Sequence, residues 1–415
     1  MSAIVIYVGL KKTTLNALIY SKLTVMMFLQ YFVWGVYYVT MGTYLFKIGF
    51  KGSDIGQAYG ATSIAGIVSP FLVGMVADRF FPAQKVLAAM HIMGGVVMYI
   101  VSQTVAPGAF FWVFLLYACL YMPTIALTNS ISFYQMKEPG KEFPFIRVWG
   151  TIGWIVAGLI VSAIKQEDTN TPMVICAAVS ALTGVLCLLL PNTPPKGSGQ
   201  QIRISDVLGL KALKMFRDPS FLVFAIASTL ICIPLAFYYN FTNAFLNQSG
   251  MTGTAAKMTM GQMSEIIFMI IMPFFFARLG VKKMLVIGMA AWALRYVMFA
   301  YGNADALVWM FYLGIILHGI CYDFFFVTGQ IYVDNSAPVE IQASAQGLIT
   351  LLTYGIGMLV GSLISGFVVD HYKQGENLYN WHSIWLWPFG MAGIVMIAFL
   401  LFFKDKGNGG KVSIQ

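Results

Sequence analysis

The segment 307–333 is apolar over a length that would cross a lipid bilayer, yet it carries Asp323 near its middle. About 20 apolar helical residues, at 1.5 Å each, span a hydrocarbon core of about 30 Å, so Asp323 would lie where water is scarce. A charge at that depth costs about 2.5–3.5 kcal/mol on insertion scales, so such residues usually face a bundle interior or a wet cavity. Asp323 therefore points to a functional site inside a helical membrane protein.

The composition excludes a water-soluble globular protein. Of the 415 residues, 59% are hydrophobic and only 10% are charged, which is typical of an integral membrane protein. The net charge is +9, but the basic residues are spread along the chain, so we expect no nucleic-acid partner. The five cysteines lie in apolar stretches without a C-x-x-C pair, which predicts buried thiols and no metal site. An apolar run at 3–10 precedes two lysines, the reverse of a secretory signal, so we expect no cleaved leader.

Hydropathy predicts twelve membrane spans, six on either side of a polar linker. They lie at about 23–46, 55–77, 84–104, 109–135, 144–164, 172–191, 220–246, 256–277, 282–302, 307–334, 343–369 and 384–403. The fold class is therefore an all-α membrane protein with two six-helix halves, 23–191 and 220–404. Most of the 25 Lys and Arg residues fall in or beside the segments 1–22, 192–219 and 405–415 and the even-numbered loops, which predicts that both termini are cytoplasmic.

Short loop motifs recur at related places in the two halves. Asp78 and Arg79 follow the second span after a glycine at 74, Arg278 follows the eighth span, and the eleventh span ends with a glycine at 366 and Asp370. These motifs resemble the G-x-x-x-D-R/K signature of the major facilitator superfamily and its basic tail. The resemblance implies gating loops that lock the cytoplasmic side; the alternative is ordinary positive loops.

Polar residues occur at helical spacing in two further spans. Arg147, Thr151 and Trp154 are at i, i+4 and i+7 in the fifth span, so they share one face. Gln262 and Glu265 are at i and i+3 in the eighth span. A binding site for a polar, ring-bearing solute needs a small set of hydrogen-bond donors, acceptors and aromatic rings that converge in an apolar cavity, and these residues supply such a set. Arg147 could instead be a membrane anchor, and Trp154 a packing residue.

The tenth span adds His318 and Tyr322 at i and i+4, beside Asp323. His318 could be a satisfied core histidine and Tyr322 a packing aromatic, and the buried acids could be structural partners of Arg295. His318 and Asp323 also match an H-x4-D acyltransferase pattern, but inside an apolar helix this pattern does not indicate an enzyme.

Several segments together resemble the bacterial nucleoside:proton symporters over about residues 23–404. They are Tyr-Met-Pro-Thr at 121–124, Phe-Ile-Arg-Val-Trp-Gly-Thr-Ile-Gly-Trp at 145–154, Gln-Met-Ser-Glu at 262–265, Tyr-Asp-Phe-Phe at 322–325 and Ala-Ser-Ala-Gln-Gly at 343–347. The resemblance implies a monomeric, proton-coupled nucleoside importer of the bacterial inner membrane, with the proton in place of a cofactor. Alternatives are an oligosaccharide:proton symporter of the same fold and a non-transporting receptor.

The resemblance also implies residue roles. Arg147 and Thr151 would bond the solute, Trp154 and Tyr322 would form aromatic walls, and Gln262 with Glu265 would hold ribose or base groups. Asp323, with Glu265 as the other candidate, would carry the proton. The sequence departs from the family at three places, which leaves base selectivity open: Ala236 and Tyr239, with Asn240 adjacent, stand where the family places amide side chains, and His318 replaces a familiar tyrosine.

Overall fold

The computed structural model describes residues 15–79, 81–195, 210–376 and 378–404, without the side chains of 69–79, 140, 210 and 343. Almost all of this chain is helical. The α-helices are α1 (Ala17–Tyr38), α2 (Met41–Lys47), α3 (Gly52–Arg79), α4 (Ala83–Gln103), α5 (Pro107–Gln135), α6 (Pro139–Ala163), α7 (Thr171–Cys187), α8 (Pro219–Gln248), α9 (Thr254–Tyr301), α10 (Val308–Ile316), α11 (His318–Tyr322), α12 (Thr328–Ser336), α13 (Gln342–Thr350), α14 (Met358–His371) and α15 (Trp381–Phe402).

The remaining regular elements are short. Two 3-10 helices lie at Leu210–Arg217 and Val339–Ile341, and two π-helical segments at Asp323–Val327 and Leu351–Gly357. A small antiparallel hairpin of β1 (Lys373–Gly375) and β2 (Leu378–Tyr379) joins α14 to α15. The 3-10 helix Leu210–Arg217 falls in the stretch predicted as linker, whereas residues 192–195 at its start have no regular structure.

Nine segments of the described chain are long and apolar enough to cross a membrane, which confirms the prediction of a mostly helical membrane protein. Helix α9 has 48 residues. At 1.5 Å per residue it would be about 72 Å long if straight, over twice the hydrocarbon thickness. Gly280 interrupts it with φ of 68° and ψ of 177°, a conformation that glycine adopts without strain, so two helices meet there at a kink. The break separates the predicted eighth and ninth spans.

The described helices form two groups, α1–α7 and α8–α15, that meet directly at one end of the bundle. Thr43 Oγ1 donates to Asn243 Oδ1 at 2.5 Å, and the rings of Phe46 and Phe241 lie 5.8 Å apart. A Cβ at Gly52 would lie 2.7 Å from the Gly366 carbonyl oxygen, so α3 and α14 touch backbone to backbone. We call this the closed end; residues 15 and 404 lie at the opposite end.

Candidate functional site

Arg147 lies on α6 and packs over an aromatic ring of α1. Its guanidinium carbon is 4.1 Å from the centre of the Tyr31 ring, a cation–π distance. Gly150 permits this approach, because a Cβ there would lie 2.6 Å from the Tyr31 ring. Arg147 is only half-buried, so its N–H donors remain accessible to a solute. Thr151, also half-buried, follows one turn later on the same face of α6.

A small cavity lies beside Trp154, between α1, α6, α8 and α9. Tyr239, Gln262 and the backbone at Gly35 contribute to its walls. The Trp154 ring meets the Trp34 ring edge-on, with centres 5.4 Å apart. The cavity volume is about 10 Å³, barely enough for one water molecule, so aromatic rings fill this part of the bundle in the observed conformation.

Helix α1 contributes an aromatic face that the sequence analysis missed. Tyr31, Trp34 and Tyr38 are at i, i+3 and i+7, and the rings of Trp34 and Tyr38 both pack against Trp154. Tyr38 also lies 6.0 Å from the Tyr239 ring of α8, so the aromatic contacts bridge the two helix groups. The helical spacing of these three residues was the available signal.

Glu265 and Asp323 form the acidic side of the site. Glu265 is half-buried, and its carboxylate interacts electrostatically with Arg147 across the space between α9 and α6. Tyr239 and Tyr322 also lie close enough to Glu265 to interact with it electrostatically. Asp323 and Glu265 are also close enough to interact electrostatically, so the two carboxylates would repel each other if both were ionised. The structure thus brings predicted residues of α6, α8, α9 and α11 into one region.

Asp323 is fully buried, and neither of its carboxyl oxygens has a hydrogen-bond partner among the described residues. It is the first residue of the π-helical segment Asp323–Val327, and π turns inside α-helices are frequent at functional sites. Arg295 does not pair with it. Its Nε–H donates to the Gly314 carbonyl oxygen at 2.9 Å, and its guanidinium carbon lies 4.2 Å from the centre of the Tyr238 ring. The alternative that Asp323 is an Arg295-paired structural acid is therefore wrong.

His318 lies behind the cavity wall rather than in it. It is buried, and its ring stacks on Tyr238 with centres 5.2 Å apart and an angle of 19°. It also meets the Tyr239 ring edge-on at 6.2 Å. His318 therefore supports the two tyrosines of α8, and in this conformation it does not reach the solute position that the sequence predicted.

Ser264 fixes the acidic side of the site to α11. The chain is interrupted between α10 and α11 at Leu317, and Ser264 Oγ bonds both sides of the interruption. It donates to the Ile316 carbonyl oxygen at 2.7 Å and accepts from the Gly319 amide at 2.9 Å. Because Ser264 precedes Glu265 in the chain, one side chain sets the distance between α9 and the Tyr322–Asp323 turn. The sequence analysis missed Ser264, although it lies inside the Gln-Met-Ser-Glu segment.

Tyr354 is a second residue that the sequence analysis missed. The hydroxyl oxygens of Tyr322 and Tyr354 are 2.8 Å apart, and the Tyr354 ring stacks on Phe326 at 5.4 Å. Tyr354 belongs to the π-helical segment Leu351–Gly357 and Phe326 to the segment Asp323–Val327, so the two π segments meet at this ring contact. Tyr354 is partly exposed within the bundle, which makes it part of the same polar and aromatic wall as Tyr322.

Asn240 does not point into the site. Its Nδ2 donates to Ser365 Oγ of α14 at 3.1 Å, and the residue is buried. The prediction that it binds substrate is not supported by this placement; its helical neighbour Tyr239 occupies the cavity wall instead, because adjacent residues in a helix point about 100° apart.

The predicted gating residues lie at different places. The side chains of Asp78 and Arg79 are outside the described part of the structure. The Arg278 guanidinium lies 4.0 Å from the centre of the Phe274 ring. Asp370 accepts from the Gly52 and Ser53 amides, at the first turn of α3. Arg79 ends the same 28-residue helix about 40 Å away, so the prediction that Asp370 belongs with Asp78 and Arg79 on one side is wrong.

The helical bundle, with one site formed by residues of both helix groups, is that of a membrane transporter of the major facilitator superfamily. The chain belongs to the nucleoside H+ symporter family, whose model matches residues 18–408. It is therefore a member of a transporter family and not an enzyme, as the sequence predicted.

Three proteins of Escherichia coli (strain K12) are similar to this chain. YegT, provisionally named a nucleoside transporter, is 44% identical over 402 residues, covering 94% of each chain. The nucleoside permease NupG is 34% identical, covering 93% of this chain and 96% of its own. The xanthosine permease is 33% identical, covering 94% and 97%. A solved structure of NupG superposes with a TM-score of 0.86 at 33% identity, covering 94% of this chain and all of the other.

We predict that Ser264→Ala loosens the interrupted helix without unfolding the protein, because it leaves the Gly319 amide without its bonding partner. Hydrogen–deuterium exchange of peptides covering 314–326 should become faster. Ser132→Ala is the matched control: it removes a buried hydroxyl that bonds only the Thr128 carbonyl of its own helix. Equal exchange of 314–326 in both variants would contradict the role given to Ser264.

Proposed function

We propose that this protein imports nucleosides together with protons by alternating access around a central site. The observation that carries the proposal is the match to the nucleoside H+ symporter family over nearly the whole chain. Two features of the site support it. The accessible side chains of Arg147 and Glu265 face each other from different helix groups, and aromatic rings surround Trp154. A nucleoside offers the complementary parts, which are an apolar ring and several hydroxyl and base-edge groups.

We propose twelve crossings in two six-helix halves, 23–191 and 220–404. Helix α9 crosses twice, and α3 and the short helix α7 add one crossing each to the segments that hydropathy identifies. With an even number of crossings, the start of the first crossing and the end of the last crossing lie on the same side of the membrane. The bias of basic residues makes that side the cytoplasm and makes the closed end periplasmic, in the inner membrane. Segments 1–22, 192–219 and 405–415 would then be cytoplasmic.

In the proposed binding mode, Arg147 and Thr151 donate hydrogen bonds to the nucleoside from the first half. Gln262 and Glu265 bond ribose hydroxyls or base edges from the second half, and Trp154 and Tyr322 stack on its rings. Tyr354 extends the Tyr322 wall through the hydroxyl contact at 2.8 Å. A site with ligands from both halves binds most tightly when the halves close on the solute, which couples binding to the rocking motion.

Asp323 is the proposed proton carrier, with Glu265 as the other candidate. A carboxylate without hydrogen-bond partners in an apolar interior is very costly, so the buried Asp323 of this conformation fits a neutral carboxyl. When the site opens to water, hydration lowers the free energy of the Asp323 carboxylate and the proton can leave. One proton moving inward releases about 2.3 kcal/mol per 100 mV of membrane potential, which can drive accumulation.

The partial exposure of Arg147 and Glu265 inside the bundle, together with the contacts at the closed end, supports an inward-facing conformation. In that state the aromatic rings around Trp154 separate the site from the periplasm. The chain would release nucleoside to the cytoplasm from this conformation, and the proton would follow once water reaches Asp323.

Uptake into proteoliposomes tests the function. We expect labelled uridine and adenosine to accumulate when an inward proton gradient is imposed, and a protonophore to abolish the accumulation. Unlabelled nucleosides should compete, whereas maltose and lactose should not. Folded protein that takes up no nucleoside, or whose uptake is inhibited by sugars alone, would overturn the proposal in favour of the sugar symporter.

A second prediction concerns ring stacking. Trp154→Ala should weaken uridine binding about tenfold or more, because stacking of a base on an aromatic ring contributes about 1–3 kcal/mol. Trp154→Phe should lose less. Trp149→Ala is the control, because Trp149 lies on the same helix about 200° from Arg147 and is 38% exposed. Binding measured by isothermal titration calorimetry that is equally strong in all variants would remove Trp154 from the site.

A further inference from the structure

Two acids at the closed end each bond the amino-terminal turn of a helix in the other group. The first is Asp370, the residue before the last of α14. Its Oδ1 accepts from the Gly52 amide at 2.6 Å, and its Oδ2 accepts from the Ser53 amide at 2.8 Å. Helix α3 begins at Gly52, so Asp370 of the second group caps a helix of the first group.

The second acid is Glu167, in the loop between α6 and α7. Its Oε1 accepts from the Ala255 amide at 3.0 Å, and Ala255 is the second residue of α9. Its Oε2 accepts from the side-chain amides of Asn243 and Asn247 on α8, both at 3.2 Å. Glu167 is buried although it lies in a loop. An acid of the first group therefore caps a helix of the second group.

The two contacts are related by exchange of the halves. In the proposed twelve-crossing arrangement, α6 and α14 are the fifth crossings of their halves, and α3 and α9 begin the second crossings. Each acid thus lies at, or just beyond, the end of a fifth crossing and binds the start of the opposite second crossing. The first N–H groups of a helix have no partners within it and carry a partial positive charge, so a carboxylate there makes charge-assisted hydrogen bonds.

The backbones of the two groups are in close contact around these bonds. A Cβ at Gly56 would overlap the Ser362 carbonyl oxygen, and a Cβ at Gly42 would overlap that of Asn240. Both contacts join helices of different groups, so opening this end separates them. Nearby, Thr43 Oγ1 donates to Asn243 Oδ1, which ties the Glu167 contact to α2.

We propose that Glu167 and Asp370 are paired latch residues, which hold the periplasmic end shut and must release together when the site opens outward. The five N–H groups that they bond in the two helix starts and in α8 are satisfied by a carboxylate in the closed state and by water in the open state. The latch is a positioning device and contacts no substrate. It rests on the proposed orientation of the bundle but not on the identity of the substrate.

Hydrogen–deuterium exchange of the purified full chain tests the proposal, because the bonded amides exchange when the latch opens. Glu167→Gln should speed exchange about five- to tenfold in peptides covering 251–258. It should also speed exchange in peptides covering 50–57, which it does not touch. Asp370→Asn should show the reciprocal effect. This cross-effect separates a joint latch from two local caps.

Matched controls keep the result interpretable. Asp168→Asn alters the neighbouring exposed acid, whose carboxylate lies 3.5 Å from the Lys47 ammonium, and should leave both peptides unchanged. Unchanged exchange in α4 and α5 would show that the latch variants remain folded, and Glu167→Asp and Asp370→Glu replace variants that do not. The proposal would be overturned if, in either pair of variants, exchange became faster only in the peptide that contains the mutated acid's own bonded amides. Since no transport is measured, this failure is distinct from failure of the proposed function.

Discussion

The burial of an acidic side chain in an apolar bundle is the constraint on which the rest of this structure depends. Asp323 has no exposed surface and no hydrogen-bond partner among the described residues, and an isolated charge in such a place is prohibitively costly. The residue is therefore compatible with a neutral carboxyl here and with a charged one only where water or a cation reaches it. In the proposed mechanism, the bundle closes around the acid in one conformation and admits water to it in the other, and this difference moves a proton.

The local backbone puts Asp323 at the point where helices can change shape. The tenth predicted span is divided at Leu317 and again by the π segment that Asp323 begins, and Ser264 Oγ bonds the groups freed at the first division. A second π segment carries Tyr354, which meets Tyr322 at 2.8 Å. The residues that line the polar site thus lie at interruptions of α-helical geometry. Carbonyls and side chains at such interruptions can change position when a solute binds.

The sequence could predict the parts of this structure that depend on one helix at a time. Hydropathy located the long apolar helices of the described chain, because it depends only on the composition of one segment. Spacing on α6 placed Arg147 and Trp154 on a common face, because it depends on the 3.6-residue repeat. It could not assign Asn240 correctly, since the rotation of α8 is set by packing against Ser365. Nor could it show that Asp370 caps α3, because that bond joins residues 318 positions apart. The division at Leu317 and the π segments have no comparable signature in the sequence.

The central claim is that nucleoside binding and protonation of a buried acid are one event. Calorimetry of uridine binding in buffers of different ionisation enthalpy counts the protons taken up per nucleoside. We expect proton uptake by the unmodified protein over some interval between pH 5.5 and 8.5, and a smaller uptake by Asp323→Asn with binding retained. Uridine binding with no proton uptake anywhere in that interval would contradict the account.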